Sequence, residues 1–350
     1  MLLSLSFFRE LDKSKRINIF GLYIKRYFRI TVPMAACILF VLSFYYYVSN
    51  GPLWNFYMQI MVIDNCEKWW WTSLLYVSNY VNPGKICLTH FWYLIIDMQF
   101  YILSPIILYP IWRYQKIKWF TYPLILAIAS ISVIYVFLIS MKHGLRISLI
   151  SETVSERDFF IYYNILARID SWMMGILTGF ILYQMEGKII ILSKLALAVG
   201  WTLSIFSIFA LVFAQYPLHQ SYLNENSHAA DASFDAFKRV AWCLSIGWII
   251  IVCQLNHGGI IKRFLSLSIW LPISKLSFSI YLVHIMIQFV FMASIRSPQY
   301  FSDFRAIYKL FGDFGMAFII AFFLALFIEY PTIRLIKLFS ERRKTNENNA

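Results

Sequence analysis

The sequence predicts an all-α protein, a polytopic transmembrane helical bundle. Of its 350 residues, 60% are apolar, 19% are aromatic and only 14% are charged. Soluble domains average about 45–50% apolar and about 25% charged residues. The apolar residues also occur in runs of about 17–25, the length that crosses a bilayer as a helix. Together these observations exclude a soluble globular domain.

Eight apolar runs predict about eight full spans. They lie near residues 30–48, 92–112, 119–141, 171–185, 195–214, 240–255, 276–295 and 313–332. The fourth run is short and contains Gly175 and Gly179, a spacing of small residues that lets neighbouring helices approach closely. Residues 1–8 are apolar but too few to cross a bilayer, so they predict the N-terminal remnant of a span whose beginning is missing.

Lys and Arg are distributed unequally between alternate loops. Of the 31 basic residues, 20 lie in segments 9–29, 113–118, 186–194, 256–275 and 333–350. Because cytoplasmic loops carry the excess of Lys and Arg, we expect these segments and the C-terminus to be cytoplasmic. The net charge of +13 follows this loop pattern. Since no basic patch is interleaved with aromatic residues, nucleic acid is not an expected partner.

The cysteines divide between a predicted exterior loop and the spans. Cys66 and Cys87 share the long loop before the second span, where oxidation is permitted, so we expect a disulfide that closes this loop. Cys37, Cys243 and Cys253 fall within spans and are expected to be packing residues. No Cys or His spacing matches a zinc site, so no metal is expected.

Asp97 lies within the second predicted span, where burying a carboxylate costs about 2.5–3.5 kcal/mol. Tyr93 and Tyr101 lie one helical turn before and after it, and His90 lies one turn earlier, so these side chains share a face. Two interpretations remain open for this face. It is either a hydrogen-bonding node between helices or a site for substrate binding or proton handling.

Two further groups of polar residues could carry chemistry. Arg26 and Arg29 stand on one helical face at the predicted cytoplasmic boundary, where they suit either phosphate binding or anchoring to lipid headgroups. Ser277, Tyr281 and His284 form one stripe in the seventh predicted span, with either a functional or a packing role.

Simpler roles are expected for four other charged residues. Glu329 would pair with Arg334 near the end of the last span, and Arg168 and Asp170 would form a salt bridge or cap the fourth span. The sequence contains neither a Gly-x-Ser-x-Gly elbow nor a phosphate-binding glycine loop, which excludes the common serine hydrolases and P-loop enzymes.

Several of these segments resemble the acyltransferase-3 family, in particular its nose-resistant-to-fluoxetine-like branch. The resemblance covers about residues 1–335 and rests on motifs that occur in the family's order. The motifs are Phe7–Lys13 with Tyr23–Thr31, Cys87–Pro105, Arg168–Gly175, Leu276–His284, Arg296–Pro298 and Phe327–Pro331. We therefore divide the chain into a membrane domain, residues 1–335, and a polar cytoplasmic tail, residues 336–350, which we expect to be disordered beyond Glu341.

The resemblance implies an integral-membrane enzyme. Such an enzyme would move an acyl group, other than an aminoacyl group, from a cytoplasmic acyl-CoA-type donor to a lipid or another hydroxyl acceptor. It implies donor binding by Arg26 and Arg29 and supporting catalytic roles for Asp97, Tyr101 and His284. It also predicts the Cys66–Cys87 disulfide. Acyl-CoA is the expected co-substrate, membrane lipids are expected partners, and no bound cofactor is expected.

Two parts of the family pattern would lie upstream of Met1. They are the spanning helix with the histidine implied as the catalytic base, and the branch's cysteine-rich exterior domain. The sequence therefore predicts an N-terminally truncated chain that lacks this base. Two alternative hypotheses follow: a membrane protein for lipid or small-molecule transport, and a catalytically inactive paralogue that acts by binding a partner.

Overall fold

The computed structural model describes residues 1–14, 17–147, 154–216 and 228–349. Its α-helices in chain order are α1 Leu2–Ser14, α2 Ile19–Ser43, α3 Asp64–Leu74, α4 Ser78–Val81, α5 Trp92–Arg113, α6 Lys118–His143, α7 Val154–Arg157, α8 Ile169–Met185, α9 Lys194–Phe213, α10 His228–Gln254, α11 Gly259–Leu265, α12 Trp270–Ser294, α13 Asp303–Leu324 and α14 Tyr330–Asn349. Short 3-10 or π-helical segments are Tyr45–Tyr47, Asn55–Ile63, Thr89–Phe91, Asp158–Tyr162, Leu166–Arg168 and Ala325–Glu329. None of the described residues lies in a β-strand, and the predicted all-α class is confirmed.

Seven helical stretches of the described residues are long and apolar enough to cross a membrane. They are Ile19–Ser43, Thr89–Arg113, Trp119–His143, Lys194–Phe213, His228–Gln254, Trp270–Ser294 and Asp303–Phe339. The fourth predicted span corresponds to α8, which has 17 residues. At 1.5 Å per residue α8 is about 25 Å long, at the lower limit for a spanning helix.

Two helices begin well before the apolar runs that predicted them. Helix α2 starts at Ile19 rather than near residue 30, and the Asn18 side chain caps it by accepting a 2.8 Å hydrogen bond from the Gly21 N–H. Helix α10 starts at His228 rather than near residue 240. A hydropathy run ends at the first charges, whereas backbone hydrogen bonding continues through them, so both helices extend into their polar flanks.

The last predicted span lies inside a longer helical stretch. Helix α13 continues through the π-helical segment Ala325–Glu329 into α14, which reaches Asn349. The tail after Glu341 is therefore helical where its polar composition predicted disorder. Adding a turn to an existing helix avoids the cost of nucleation, which accounts for the continuation.

The chain divides into two compact units. Unit 1 comprises residues 1–17 and 100–267, and unit 2 comprises residues 18–99 and 268–350. In unit 1 the apolar N-terminal run forms part of α1, which packs on α8 around buried Phe8 and Phe180. A Cβ atom at Gly179 would lie 2.1 Å from the Ser4 hydroxyl. The predicted close approach at Gly179 is thus confirmed.

Unit 1 also contains an ion pair between the first turn of α8 and the middle of α10. Asp170 accepts from the Ser171 N–H at 2.6 Å and from the Arg239 Nε–H at 3.3 Å, so it forms an ion pair, and no side chain of the described residues caps α8. Arg168 instead donates to the Tyr162 carbonyl at 3.2 Å. Burial, with the neighbouring Arg239 charge, lowers the pKa of Arg168 to about 10, so the guanidinium stays charged at neutral pH.

Unit 2 is built from α2, α3, α4, the first two turns of α5, and α12 to α14. Helix α12 packs against α13, and α2 contacts α3, α12 and α14. The Tyr45 hydroxyl, just beyond the end of α2, donates a 2.6 Å hydrogen bond to the Met286 carbonyl of α12. This unit holds all but one of the predicted functional residues, since Tyr101 belongs to unit 1.

Candidate functional site

An ion pair joins two charged residues of unit 2 that lie far apart in the sequence. A terminal nitrogen of Arg26, in the second turn of α2, donates to the Asp97 carboxylate in the second turn of α5. About a third of each side chain is exposed, 29% for Arg26 and 34% for Asp97. Each charge offsets the cost of placing the other in an apolar helix assembly. The sequence pointed to separate roles for these residues and did not indicate their contact.

Arg29 and Tyr101 each lie one helical turn after one member of this ion pair. Arg29 is one turn beyond Arg26 in α2, and its side chain is exposed. Tyr101 follows Asp97 by one turn of α5 and is 9% exposed, but it falls within unit 1. The predicted pair of arginines therefore consists of one guanidinium bound to Asp97 and one exposed guanidinium.

The loop between α3 and α4 brings Tyr76 to α2. Its hydroxyl lies 2.8 Å from the Thr31 hydroxyl, and its carbonyl accepts a 2.8 Å hydrogen bond from the Gln99 amide of α5. Tyr76 has φ +59°, a left-handed conformation that is strained for a bulky side chain. Such strain persists only where the surroundings fix the conformation, as Thr31 and Gln99 do here.

The charges of Arg26 and Asp97 influence the pKa of Tyr76. Burial is the largest effect and raises the pKa of Tyr76 to about 12, while the nearby Asp97 raises and Arg26 lowers it. The phenol therefore keeps its proton at neutral pH and serves as a hydrogen-bonding group. Sequence reasoning missed Tyr76, Thr31 and Gln99, although a second polar residue within the Asp97 span was a usable signal for Gln99.

Four ring side chains of unit 2, which we call the tyrosine–histidine cluster, meet at the start of α5 and the middle of α12. They are His90, Tyr93, Tyr281 and His284. The His90 ring centroid lies 5.4 Å from that of His284 and 5.5 Å from that of Tyr281. The Tyr93 and Tyr281 centroids are 5.8 Å apart, and Tyr93 precedes Asp97 by one turn. The structure thus joins the face of Asp97 to the stripe that contains His284.

Backbone carbonyls set the tautomers of both histidines. His90 Nε2 lies 3.1 Å from the Leu282 carbonyl oxygen, and His284 Nδ1 lies 2.7 Å from the Tyr281 carbonyl oxygen. A carbonyl only accepts, so both nitrogens carry hydrogen in the neutral rings. The basic lone pairs then lie on His90 Nδ1 and His284 Nε2. His90 Nδ1 is buried and has no hydrogen-bond partner among the described residues, whereas His284 is half-buried.

Two other predicted residues make local contacts. Ser277 is exposed, and its hydroxyl donates to the Ser274 carbonyl at 2.9 Å, so the structure does not bring it to the tyrosine–histidine cluster. Glu329 is buried at the end of the π-helical segment and accepts a 2.6 Å hydrogen bond from Ser279 of α12. Among the described ion pairs, none joins Glu329 to Arg334 as the sequence suggested.

A disulfide between Cys66 and Cys87 closes the loop that carries Tyr76, as predicted. It links α3 to the segment just before α5 across 21 positions of sequence. Cys37 is buried, and Cys243 and Cys253 are half-buried free thiols. The disulfide therefore holds the loop that contains Tyr76 next to the helix that contains Asp97.

Comparisons with known proteins cover nearly the whole chain. The family model described as an acyltransferase domain matches residues 1–334. Nose resistant to fluoxetine protein 6 from Caenorhabditis elegans is 25% identical over 351 residues, which cover 94% of this chain and 41% of that protein. The chain thus spans about two fifths of the length of the curated relative it matches. No solved structure matches it.

Proposed function

Because this chain belongs to the acyltransferase-3 family and resembles its nose-resistant-to-fluoxetine branch, we propose that it transfers an acyl group from an acyl-CoA-type thioester to a hydroxyl acceptor within the membrane. The acyl group is not an aminoacyl group, and the acceptor is a lipid or another alcohol. The observation that supports this most is the Arg26–Asp97 ion pair, which lies in membrane-type helices of the unit that holds the tyrosine–histidine cluster.

Donor binding is the role we propose for Arg26 and Arg29. A guanidinium has five N–H donors, so Arg26 can bind Asp97 through one edge and a phosphate oxygen through another. Arg29 adds a second positive charge one turn away, on an exposed side chain. Coenzyme A carries several phosphate oxygens, which suit two guanidinium groups. Asp97 would hold Arg26 in position and orient the acceptor.

The resemblance implies another histidine as the catalytic base and only a supporting role for His284. From the geometry of the described residues we propose that His284 itself can remove the proton, because its Nε2 carries the basic lone pair. Nε2 takes the proton of the acceptor hydroxyl, and the oxygen then attacks the thioester carbonyl carbon. A new C–O bond forms and the C–S bond breaks. The departing thiolate receives the proton held on His284 and leaves as the free thiol. The Tyr281 carbonyl accepts the hydrogen on Nδ1 and so keeps the lone pair on Nε2, where the proton is taken up.

The positive-inside distribution supports a cytoplasmic donor. The segment that contains Arg26 and Arg29 belongs to the loops with most of the Lys and Arg residues. The Cys66–Cys87 disulfide lies in the loop on the opposite side by the same rule, which fits an oxidising exterior compartment. We therefore propose that the C-terminus is cytoplasmic and that the acceptor enters from within the bilayer.

The test is single-turnover transfer by purified protein in lipid nanodiscs, with radiolabelled acyl-CoA and lipid analysis of the products. Arg29→Gln should weaken donor binding about 10- to 100-fold, since a hydrogen bond to a charged group contributes about 1.5–3 kcal/mol. His284→Gln should lower the transfer rate about 100-fold or more with donor affinity unchanged. Lys25→Gln, an exposed neighbour in the same turn, is the matched control.

Two results would contradict this proposal. One is the absence of label in every lipid and alcohol fraction although the donor binds. The other is unchanged transfer in His284→Gln, which would place the base elsewhere. Ligand flux across proteoliposomes that needs no thioester would instead support the transport hypothesis.

A further inference from the structure

Unit 2 contains a cavity of about 1260 Å³. Its lining includes none of the residues to which we assign a role in acyl transfer. It lies between the second half of α2, the second half of α12 and most of α13, and it continues to the π-helical segment. Its walls are mainly aliphatic and aromatic, for example Phe40, Met286, Ile320 and Phe323. Pockets for small molecules occupy about 300–1,000 Å³, so this space is large enough for a lipid chain.

Two cations lie at one end of the cavity. Lys309 Nζ stands 4.3 Å from the centroid of the Phe291 ring, and the Arg305 guanidinium stands 5.2 Å from that of Tyr300. Arg305 also donates a 3.3 Å hydrogen bond to the Gln299 side-chain oxygen. All of these residues line the cavity. The contacts hold both positive charges at the rim, over aromatic faces that attract cations.

Beyond this charged rim the lining of the cavity is mainly apolar. From Lys309 to Phe327 its lining follows α13 and the π-helical segment for about 27 Å, at 1.5 Å per residue. One carboxylate, Asp313, lines it one turn beyond Lys309. The cations therefore outnumber the anion by two to one. The site combines a rim of net positive charge with a long, apolar groove between helices that are long and apolar enough to span a membrane.

We propose that this groove binds one anionic phospholipid. Its phosphate lies at Arg305 and Lys309, and one acyl chain lies along α13 towards Phe327. Charge complementarity favours a lipid with a net negative headgroup over a zwitterionic one, because a choline ammonium would add a positive charge to a rim already rich in cations. Lipid binding at this groove does not require the proposed acyl transfer, so a protein without transfer activity would not contradict the lipid site.

Two glycines of α13 provide a matched steric test. An added Cβ at Gly312 or at Gly315 meets no atom within 4 Å, so a substitution at either position starts from open space. Gly312 lines the cavity and Gly315 does not. Gly312→Trp therefore fills the groove, while Gly315→Trp introduces the same side chain into the same helix outside it.

The experiment measures retained lipid by native mass spectrometry, after purified protein is equilibrated with phosphatidylglycerol or phosphatidylcholine. The wild-type protein should retain one phosphatidylglycerol about 10-fold more tightly than phosphatidylcholine. Gly312→Trp should lose this lipid and Gly315→Trp should keep it. Arg305→Gln with Lys309→Gln should remove the preference for the anionic headgroup while leaving weak binding to both lipids.

Three outcomes would overturn the proposal. The first is equal retention of the two lipids by the wild-type protein. The second is unchanged retention in Gly312→Trp with its thermal unfolding intact. The third is dissociation of an oligomer by Gly312→Trp, because the groove would then be covered by a second copy of the chain.

Discussion

At the scale of single residues, Arg26 and Asp97 explain how this chain tolerates charge inside apolar helices. Removing one member of a buried ion pair costs about 3–5 kcal/mol, because the other charge stays behind. Here the side chains are 29% and 34% exposed, so we expect roughly 1–3 kcal/mol for Arg26→Gln or Asp97→Asn alone. The double variant carries neither charge and should be less destabilised than the sum of the two.

A double-mutant cycle measures this coupling directly. Thermal unfolding of the four proteins in one detergent should give a coupling energy of about 1 kcal/mol or more, since contacting charges are not additive. Arg29→Gln is the matched control, and as an exposed residue it should change stability by less than about 0.5 kcal/mol. Strict additivity of Arg26→Gln and Asp97→Asn would mean that the two charges do not stabilise each other.

At the scale of elements, the Cys66–Cys87 disulfide holds the segment that delivers Tyr76 to α2. Closing a loop of this size stabilises a fold by about 3 kcal/mol in the chain-entropy account. Replacing both cysteines by Ser should therefore increase hydrogen exchange in residues 74–82 and lower the unfolding temperature by several degrees. Cys253→Ser changes a half-buried free thiol and should leave both unchanged. Unaltered exchange in 74–82 would show that the Thr31 and Gln99 contacts suffice without the disulfide.

The elements also show where sequence reasoning succeeded. Hydrophobic runs located the spanning helices because burial in lipid is encoded locally, residue by residue. They misplaced the beginnings of α2 and α10, since backbone hydrogen bonding does not stop where charges begin. The disulfide was predictable from the compartment that its two cysteines share.

The arrangement of the candidate site was not predictable in the same way. Helical spacing correctly put Tyr93 and Asp97 on one face and Tyr281 and His284 on another, because it depends only on local geometry. The contact between Arg26 and Asp97 spans 71 positions and depends on how α2 packs near α5. Tyr76 enters through a strained loop conformation for which the sequence offers no glycine signal.

At the scale of the whole molecule, the buried carboxylates of both units follow one rule. In unit 1, Asp231 and Asp235 pair with Arg146 and Arg157 at 4.0 and 3.0 Å. In unit 2, Glu329 accepts from a serine hydroxyl. Each of these acids is thus compensated by a cation or a hydrogen-bond donor, which is what an apolar surrounding requires. The remaining Lys and Arg residues lie mostly in segments that flank the apolar runs, and their unequal distribution predicts the orientation in the membrane.

The orientation yields the last prediction. Since 20 of 31 Lys and Arg residues lie in one set of loops, the C-terminus and the disulfide-closed loop should face opposite compartments. An epitope tag after residue 350 should be reached by antibody once the plasma membrane alone is permeabilised. A tag inserted after Gly84, whose surroundings are open, should be reached only from the lumenal or extracellular side. Tags accessible from the same side would contradict the arrangement. Arg26 and Arg29 would then no longer be expected beside a cytoplasmic thioester, because their side of the membrane follows from the same charge distribution.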